Sequence, residues 1–507
     1  MQSNSKSPSP VVRLGPIIGK VTNTTARVAI EIEHNNEVTC ILTSLSGKQF
    51  TCRRLPEKGF PTIFKFSGLD PKTLYQVSLE KVKLPRGSQF KTLRNNDDEP
   101  GKLNVAFVSC NETNKAEAKP PNRDLWADLA KRVSELDYVF HIGDQCYMDM
   151  GEEVPEKTPY QICADKLNKT PQEDWAGLTD EILEILRAHY RRTWSVQGTA
   201  AVLANVPNLM LLDDHEVRDD WGWRPEDWDP VTKKCDYFFG TCARRVYYEY
   251  QRQLRDDINW SKLTDVKCEY YDEIFNGVGI ALLDYRGSRS WCREDFTKYK
   301  QLGAKQAAWV NGLFAPGGKF KDVTSVLFVS PIPMLFFSHI LTDKIVDLKK
   351  QFDDLKEHWS YNHIDELKEL LGLLKKWKKA KCGREITLIG GDVHVGGHTD
   401  LYYKDEGVFK QFTTSAINNE VPKKYQFEIM QFFQKMFGDL GKGLSYEHYD
   451  WVRFNNYGLV SVHCSNGESF VTCQLVISEE TGIKVQEPHT NKVWRKETTK
   501  CCTCNTF

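Results

Sequence analysis

Four short segments of this 507-residue chain gather the side-chain types that hold and use metal ions. They are Ser109-Cys110-Asn111, Gly143-Asp144-Gln145-Cys146-Tyr147, Asp213-Asp214-His215-Glu216 and Gly390-Gly391-Asp392-Val393-His394. Each follows directly on a short apolar run. In an open α/β architecture ligands bind beyond the carboxyl ends of strands, so the four segments are expected at one edge. Carboxylate, imidazole, phenolate and thiolate together suit two cations a few ångströms apart, with one carboxylate between them. Thiolate and phenolate suit a ferric ion, while carboxylates suit a harder ion such as calcium, magnesium or manganese. Such a pair polarises a phosphoryl oxygen and brings the pKa of a bound water toward about 7, the two effects that phosphate ester hydrolysis requires. Taken singly, Cys110 reads as a buried structural thiol, Tyr147 as a packing ring and His215 as a helix-cap or core histidine. Their shared position after strands is what points to a site. Arg286, just past another apolar run, is the candidate for gripping a phosphate oxygen through its planar fork, with Arg289 second.

The elements that must position these groups are legible as a change of periodicity. After a polar leader to about Pro10, the stretches Ala26 to Glu33, Thr39 to Thr43, Thr62 to Phe66 and Leu74 to Leu79 are short strands at close intervals. They predict a small β-sandwich over residues 11–94. A polar stretch from Arg94 to Gly101 marks the boundary. Beyond it, over 95–487, the apolar runs Leu103 to Val108, Tyr138 to Ile142, Leu209 to Leu212, Val278 to Leu283, Val326 to Val329 and Ile386 to Ile389 predict buried strands. Helices are expected at Asn122 to Leu136 and Thr179 to Trp194, and a core-facing helix pair at Leu341 to Lys379. Leu459 to His463 and Phe470 to Ile477 predict a closing hairpin. The class is therefore α/β with an all-β start.

Lys+Arg 68 against Asp+Glu 69 leaves a net charge of -1, so the overall balance argues for no nucleic-acid or acidic partner. No apolar run reaches the roughly 18 residues of a spanning helix, and the first residues contain no apolar signal core. Fifteen cysteines, an odd number without tight repeated spacing, favour a reducing compartment over a disulfide framework. The expected location is cytoplasmic.

The motifs named above, with Leu283-Asp284-Tyr285-Arg286 and Lys305-Gln306-Ala307-Ala308-Trp309, stand in the order of the PhoD-like (alkaline phosphatase D) metallophosphoesterases, which the chain resembles from about Leu103 to Ser415. The resemblance implies a calcineurin-like sandwich core, and Phe66 to Tyr75 resembles the strand, turn and tyrosine strand of fibronectin type III-like modules. It also implies roles. Cys110 and Tyr147 match the family's iron-binding thiolate and phenolate, Asp144 its bridging carboxylate, and Asp392 with His394 its paired late ligands. Asp214 falls in a metal-ligand position, with Asp213 competing for it, and His215 resembles the histidine that protonates the leaving oxygen. Val217-Arg218-Asp219-Asp220-Trp221 departs from the family pattern, in which an Asn is frequent near Asp219. The implied cofactors are ferric iron and calcium, or magnesium or manganese.

Trp221 to Trp228 reads as a substrate wall or as loop packing, and His398 as a residue behind the ligands. The last eight residues, Lys500-Cys501-Cys502-Thr503-Cys504-Asn505-Thr506-Phe507, end in a C-x-x-X box; prenylation of Cys504, palmitoylation of its neighbours and the upstream basic residues would anchor residues 488–507 to a cytoplasmic membrane face. A Cys-rich tail without lipid is the other reading. The competing functions are a nuclease or phospholipase D-like diesterase, and a degenerate phosphatase serving as a scaffold.

Overall fold

The computed structural model describes residues 9–98, 100–113, 120–149, 157–222, 227–228, 234–263, 268–288, 300–337, 358–359, 363–436 and 438–494. The leader to residue 8, Arg289, residues 223–226 of the tryptophan segment, residues 341–357 of the expected helix pair, and the tail with Cys501, Cys502 and Cys504 lie outside them.

The chain begins with seven strands: β1 Val11–Val21, β2 Thr25–Glu33, β3 Val38–Ser44, β4 Gln49–Arg54, β5 Thr62–Ser67, β6 Leu74–Leu79 and β7 Gln89–Lys91. They form two antiparallel sheets, β1-β2-β5 and β4-β3-β6-β7. Alternation explains the closure: Val28, Ile30, Cys40, Leu42, Phe64, Phe66, Tyr75 and Val77 share one core between them. The Tyr75 hydroxyl accepts the Asp70 amide at 2.9 Å and pins the turn that the sequence marks with Asp70-Pro71.

The larger part adds β8 Gly101–Val108, β9 Tyr138–Ile142, β10 Asn208–Leu211, β11 Tyr271–Phe275, β12 Val278–Leu282, β13 Ser325–Val329, β14 Glu385–Gly390, β15 Gly396–Tyr403, β16 Glu406–Thr413, β17 Asp439–Gly441, β18 Leu444–Val452, β19 Asn456–Ser465, β20 Glu468–Glu479 and β21 Gly482–Val485. One sheet runs β10-β9-β8-β19-β20-β21 and the other β11-β12-β13-β14-β16-β15-β18-β17. Within them β8, β9 and β10 are parallel, as are β12, β13, β14 and β16.

Alternating residues of each strand serve different cores. In β8, Leu103, Val105 and Phe107 meet Leu327 and Val329 of β13 between the sheets, while Ala106 and Val108 turn outward to Leu125, Trp126 and Leu129. In β13, Val326 and Phe328 turn outward to Leu370, Leu374 and Trp377. The result is four layers, with helices Leu125–Arg132 and Gln197–Asn205 on one side and Gly303–Phe314 and Ile364–Lys379 on the other. A further helical group, Pro159–Lys169, Thr179–Trp194 and Lys234–Tyr250, packs on Leu14, Ile17 and Phe60 of the first sandwich. Its Arg191 pairs with buried Glu31 at 2.7 Å, and Tyr250 donates to the same carboxylate at 2.8 Å.

All six expected core strands are present, as is the expected C-terminal hairpin. That hairpin does not lie at an edge, because β19 pairs with β8 in mid-sheet. Among the described residues no helix is long and apolar enough to cross a membrane, and the described cysteines are free thiols.

Candidate functional site

The parallel strands of both sheets end at a common edge, and the site is assembled there from their continuations. Cys110 follows β8, Asp144 and Tyr147 follow β9, Asp213 to His215 follow β10, Arg286 follows β12, Asp392 and His394 follow β14, and Ser415 follows β16. Chain reversal at these points requires unusual backbone: Cys110, Asp144, Asp392 and His394 adopt φ of 55°, 56°, 64° and 53°. For residues other than glycine this left-handed region costs about 1–2 kcal/mol each. Gly143 supplies the close approach, since a Cβ there would lie 2.7 Å from Cβ of Asp213.

Asp144 is at the centre. Its Oδ2 accepts from the Tyr147 hydroxyl at 3.1 Å and faces the Cys110 sulfur at 3.6 Å, while its Oδ1 accepts the His215 amide at 3.2 Å. Tyr147 Oη lies 3.4 Å from His394 Nε2. Ligand atoms of Asp144, Asp214 and His215 lie within 4.8 Å of one another, and so do those of Asp144, Asp213, Asp214 and Asp392. Every expected ligand, with His215 and Arg286, is therefore gathered at one place. Both Asp213 and Asp214 belong to it.

Arg286 has neighbours other than those expected for a substrate clamp. Buried at 2% exposure, it places Nε on Asp213 and its NH2 group 3.1 Å from Asp214. The two accompanying motifs explain how it is held there. Asp284 accepts the amides of Arg286 and Gly287, and Gln306 clamps both the N–H and the C=O of Asp284 at 2.8 Å. Glu216 plays a similar part across the ligand loops, accepting the amides of Asp144, Gln145 and Asp213.

Three residues of the site were not singled out in the sequence. Asp149 accepts from or faces His215 Nδ1 at 2.8 Å, Ser415 Oγ lies 3.1 Å from the Cys110 sulfur, and Asn419 Nδ2 lies 3.3 Å from His394 Nε2. The last two follow β16, so the strand-end rule reaches them once that strand is recognised. Asp219, where the family pattern is broken, lies 3.8 Å from His215 Nε2. His398 is elsewhere: it stacks on Phe412, Tyr449 and His489. Trp221 and Trp228 pack against each other with Arg244 over both rings, and the Trp221 carbonyl faces Arg286.

Without a cation the centre is electrostatically unbalanced. Burial, then the neighbouring carboxylates, pushes the Cys110 thiol and the Asp392 carboxyl well above their ordinary values. Burial also raises Asp144 well above the usual carboxylate range, opposed by His215. His215 is driven well above its ordinary value: burial opposes this, but Asp149, Asp214 and Asp144 outweigh it. His394 is lowered to about 4 by burial and by His215, so its imidazole is neutral at pH 7. Three buried carboxylates and the partly buried Asp392, against Arg286 and the His215 imidazolium and beside a thiol, a phenol and a neutral imidazole, fit a site for metal cations.

A cluster of carboxylates able to hold metal cations at the strand ends of an α/β fold is an arrangement that suits metal-dependent hydrolysis. The comparisons with known proteins point the same way. A family profile described as PhoD-like phosphatase matches residues 105–472, and the chain belongs to that family of metal-dependent phosphatases. The solved structure of PhoD is similar over 94% of this chain and 92% of that one, with a TM-score of 0.66 at 13% identity, which bears on the fold. The structure of GAP50, described as the anchor in the inner membrane complex of Plasmodium, is a more distant likeness, with a TM-score of 0.39 at 9% identity over 76% of this chain and 88% of that one. No curated protein matches the chain.

Proposed function

We propose that the chain hydrolyses phosphate esters at a centre of two or more cations within a calcineurin-like core. The observation that carries this reading is the two-sided environment of Asp144. One carboxylate oxygen faces Cys110 and Tyr147, and the other faces the segment bearing Asp214 and His215. Cys110, Tyr147 and Asp144 would hold a ferric ion; Asp144, Asp214, Asp392 and His394 would complete the shells, the second ion being calcium, magnesium or manganese. Bound there, the cations supply Lewis acidity to a phosphoryl oxygen and lower the pKa of a water toward about 7.

The chain's own residues supply the rest. His215, charged and fixed at Nδ1 by Asp149, offers its Nε2 proton to the leaving oxygen. Asp219 lies on the Nε2 side with its carboxyl raised to about 6 by burial, opposed by His215 and supported by Asp214. Arg286 secures Asp213 and Asp214, which neutralises part of the carboxylate charge and fixes where Asp214 points.

Metal analysis of the purified protein, with p-nitrophenyl phosphate and bis-p-nitrophenyl phosphate as mono- and diester probes, tests the reading. We expect bound metal, a visible absorption band that Tyr147→Phe removes, and a loss of about a thousandfold in Asp144→Ala, equivalent to ~4 kcal/mol of transition-state stabilisation. Metal-free protein, together with unchanged hydrolysis by Asp144→Ala, would refute it.

A further inference from the structure

The helix Lys424–Met436 is amphipathic in an unusual sense, with apolar residues on two faces. Phe427 and Met430 turn inward and pack with Phe336, Val393, Val395 and Trp451. Tyr425, Ile429 and Phe432, at the i, i+4, i+7 spacing of one helical face, turn outward and are 58%, 53% and 60% exposed. Seven large apolar residues are at least 53% exposed among those described, and three of them share this one face. Scattered apolar residues on a surface need no explanation, but a contiguous stripe does.

The position of the stripe is informative. Val393, which packs on the helix, lies between Asp392 and His394 of the site. Five residues before the helix starts, Asn419 touches His394. The helix thus forms part of the wall beside the ligand edge. Its charge is informative too. Residues 423–436 contain Lys423, Lys424 and Lys435 against Glu428, a balance of +2, and Glu428 is occupied by Lys424 at 3.9 Å. No carboxylate faces outward unpaired on this helix among the described residues. An aromatic and aliphatic face, on a helix of modest overall hydrophobicity whose segment carries more lysine than carboxylate, is the composition of helices that lie in the headgroup layer of an anionic bilayer. The end of the chain is of matching character, because residues 492–507 contain Lys492, Arg495, Lys496 and Lys500 against Glu497, followed by Cys501, Cys502 and Cys504.

We infer that the Tyr425, Ile429 and Phe432 face docks on an anionic lipid surface and sets the open edge of the site against the headgroup layer, which makes phosphate esters carried on lipids its substrate class. The substrate statement rests on the hydrolase reading; the docking does not.

The test uses the full chain produced without lipidation, so that the helix is measured apart from the tail. Sedimentation with phosphatidylcholine vesicles, with and without phosphatidylserine, compares the native protein with Tyr425→Gln/Ile429→Gln/Phe432→Gln. Glutamine keeps the helix propensity, and none of the three residues belongs to the catalytic machinery. The expected result is binding that requires phosphatidylserine and falls about tenfold or more in the triple variant, with turnover of p-nitrophenyl phosphate unchanged. Absence of vesicle binding by the native protein, or equal binding by the variant, overturns the docking. So does a native dimer that the triple variant converts to monomer, since the face would then cover a second copy. Failure of both proteins to turn over p-nitrophenyl phosphate would strike the hydrolase reading and leave the vesicle result standing.

Discussion

Asp149 lies five residues past Asp144 in a loop and carries no ligand signature, yet its carboxylate fixes which nitrogen of His215 faces the site. Replacing it with Asn keeps the volume and removes the charge that holds the imidazolium. We expect Asp149→Asn to lower kcat by about 10- to 100-fold with little change in KM and with metal content retained, and Asp149→Glu to recover part of the loss. Loss of metal in Asp149→Asn would show instead that the residue merely supports the loop. At this scale much of the site was legible. Cys110, Asp144, Tyr147, Asp214, His215, Asp392 and His394 were found because residues that follow apolar runs share an edge. Asp149 was not, because its importance depends on the fold bringing 149 beside 215. Arg286 was found by the same rule, but its partners were not: which anion a buried guanidinium meets depends on a second strand, here β10, that spacing alone does not place beside it.

One strand that escaped the sequence reading, β15, has a polar buried face. β15 reads Gly396-Gly397-His398-Thr399-Asp400-Leu401-Tyr402-Tyr403, and its Thr399 and Asp400 are fully buried. Alternation of apolar and polar residues cannot reveal such a strand, because its polar groups are satisfied by neighbours instead of by water. Asp400 pairs with Lys410 of β16 at 2.6 Å and accepts from Tyr449 of β18 at 2.9 Å. Across the same ladder Thr399 pairs with His448. The His448 ring is bonded at both nitrogens, Nε2 to the Phe336 carbonyl at 3.0 Å and Nδ1 to the Thr399 hydroxyl at 2.7 Å. The carbonyl can only accept, which assigns a proton to Nε2; in the neutral ring that burial favours, Nδ1 then accepts from the Thr399 hydroxyl. Burial lowers its pKa to about 3, against about 6.5 in an unfolded chain. Between those values the unfolded state binds the extra proton, so this histidine adds a stability term that rises with pH and is lost on acidification from about 6.5 toward 3. His448→Gln is expected to flatten the fall of the unfolding free energy over that window by up to about 1.4 kcal/mol per pH unit, read from denaturant unfolding at a series of pH values. An equally steep fall in the variant would assign the acid sensitivity elsewhere.

At the scale of the whole molecule the N-terminal sandwich is bound to the larger part through buried charge as well as apolar contact. Glu31, 3% exposed, is met by Arg191 and Tyr250 from two helices of the other part. Removing one partner of a buried pair is far costlier than removing both. Arg191→Met should therefore destabilise by about 3 kcal/mol, and Glu31→Leu in the same protein should restore most of the loss, read from thermal denaturation. Two separate transitions, with only one moved by Arg191→Met, would show that the parts unfold independently. The two-part plan was visible in the sequence as a change from closely spaced strands to longer alternating elements; the joint was not, because it consists of residues far apart in the chain. The left-handed backbone at Cys110, Asp144, Asp392 and His394 has a further consequence for how such a protein tolerates change. Glycine would relax each of these positions, and at Asp144 or Asp392 it would also relieve crowding among like charges. Mutations that erase the site are thus, locally, the ones the fold would accept most readily. A lineage or a laboratory selection judged only on solubility and heat resistance would drift toward an intact but inert sandwich, and only a requirement for activity holds these four residues in place.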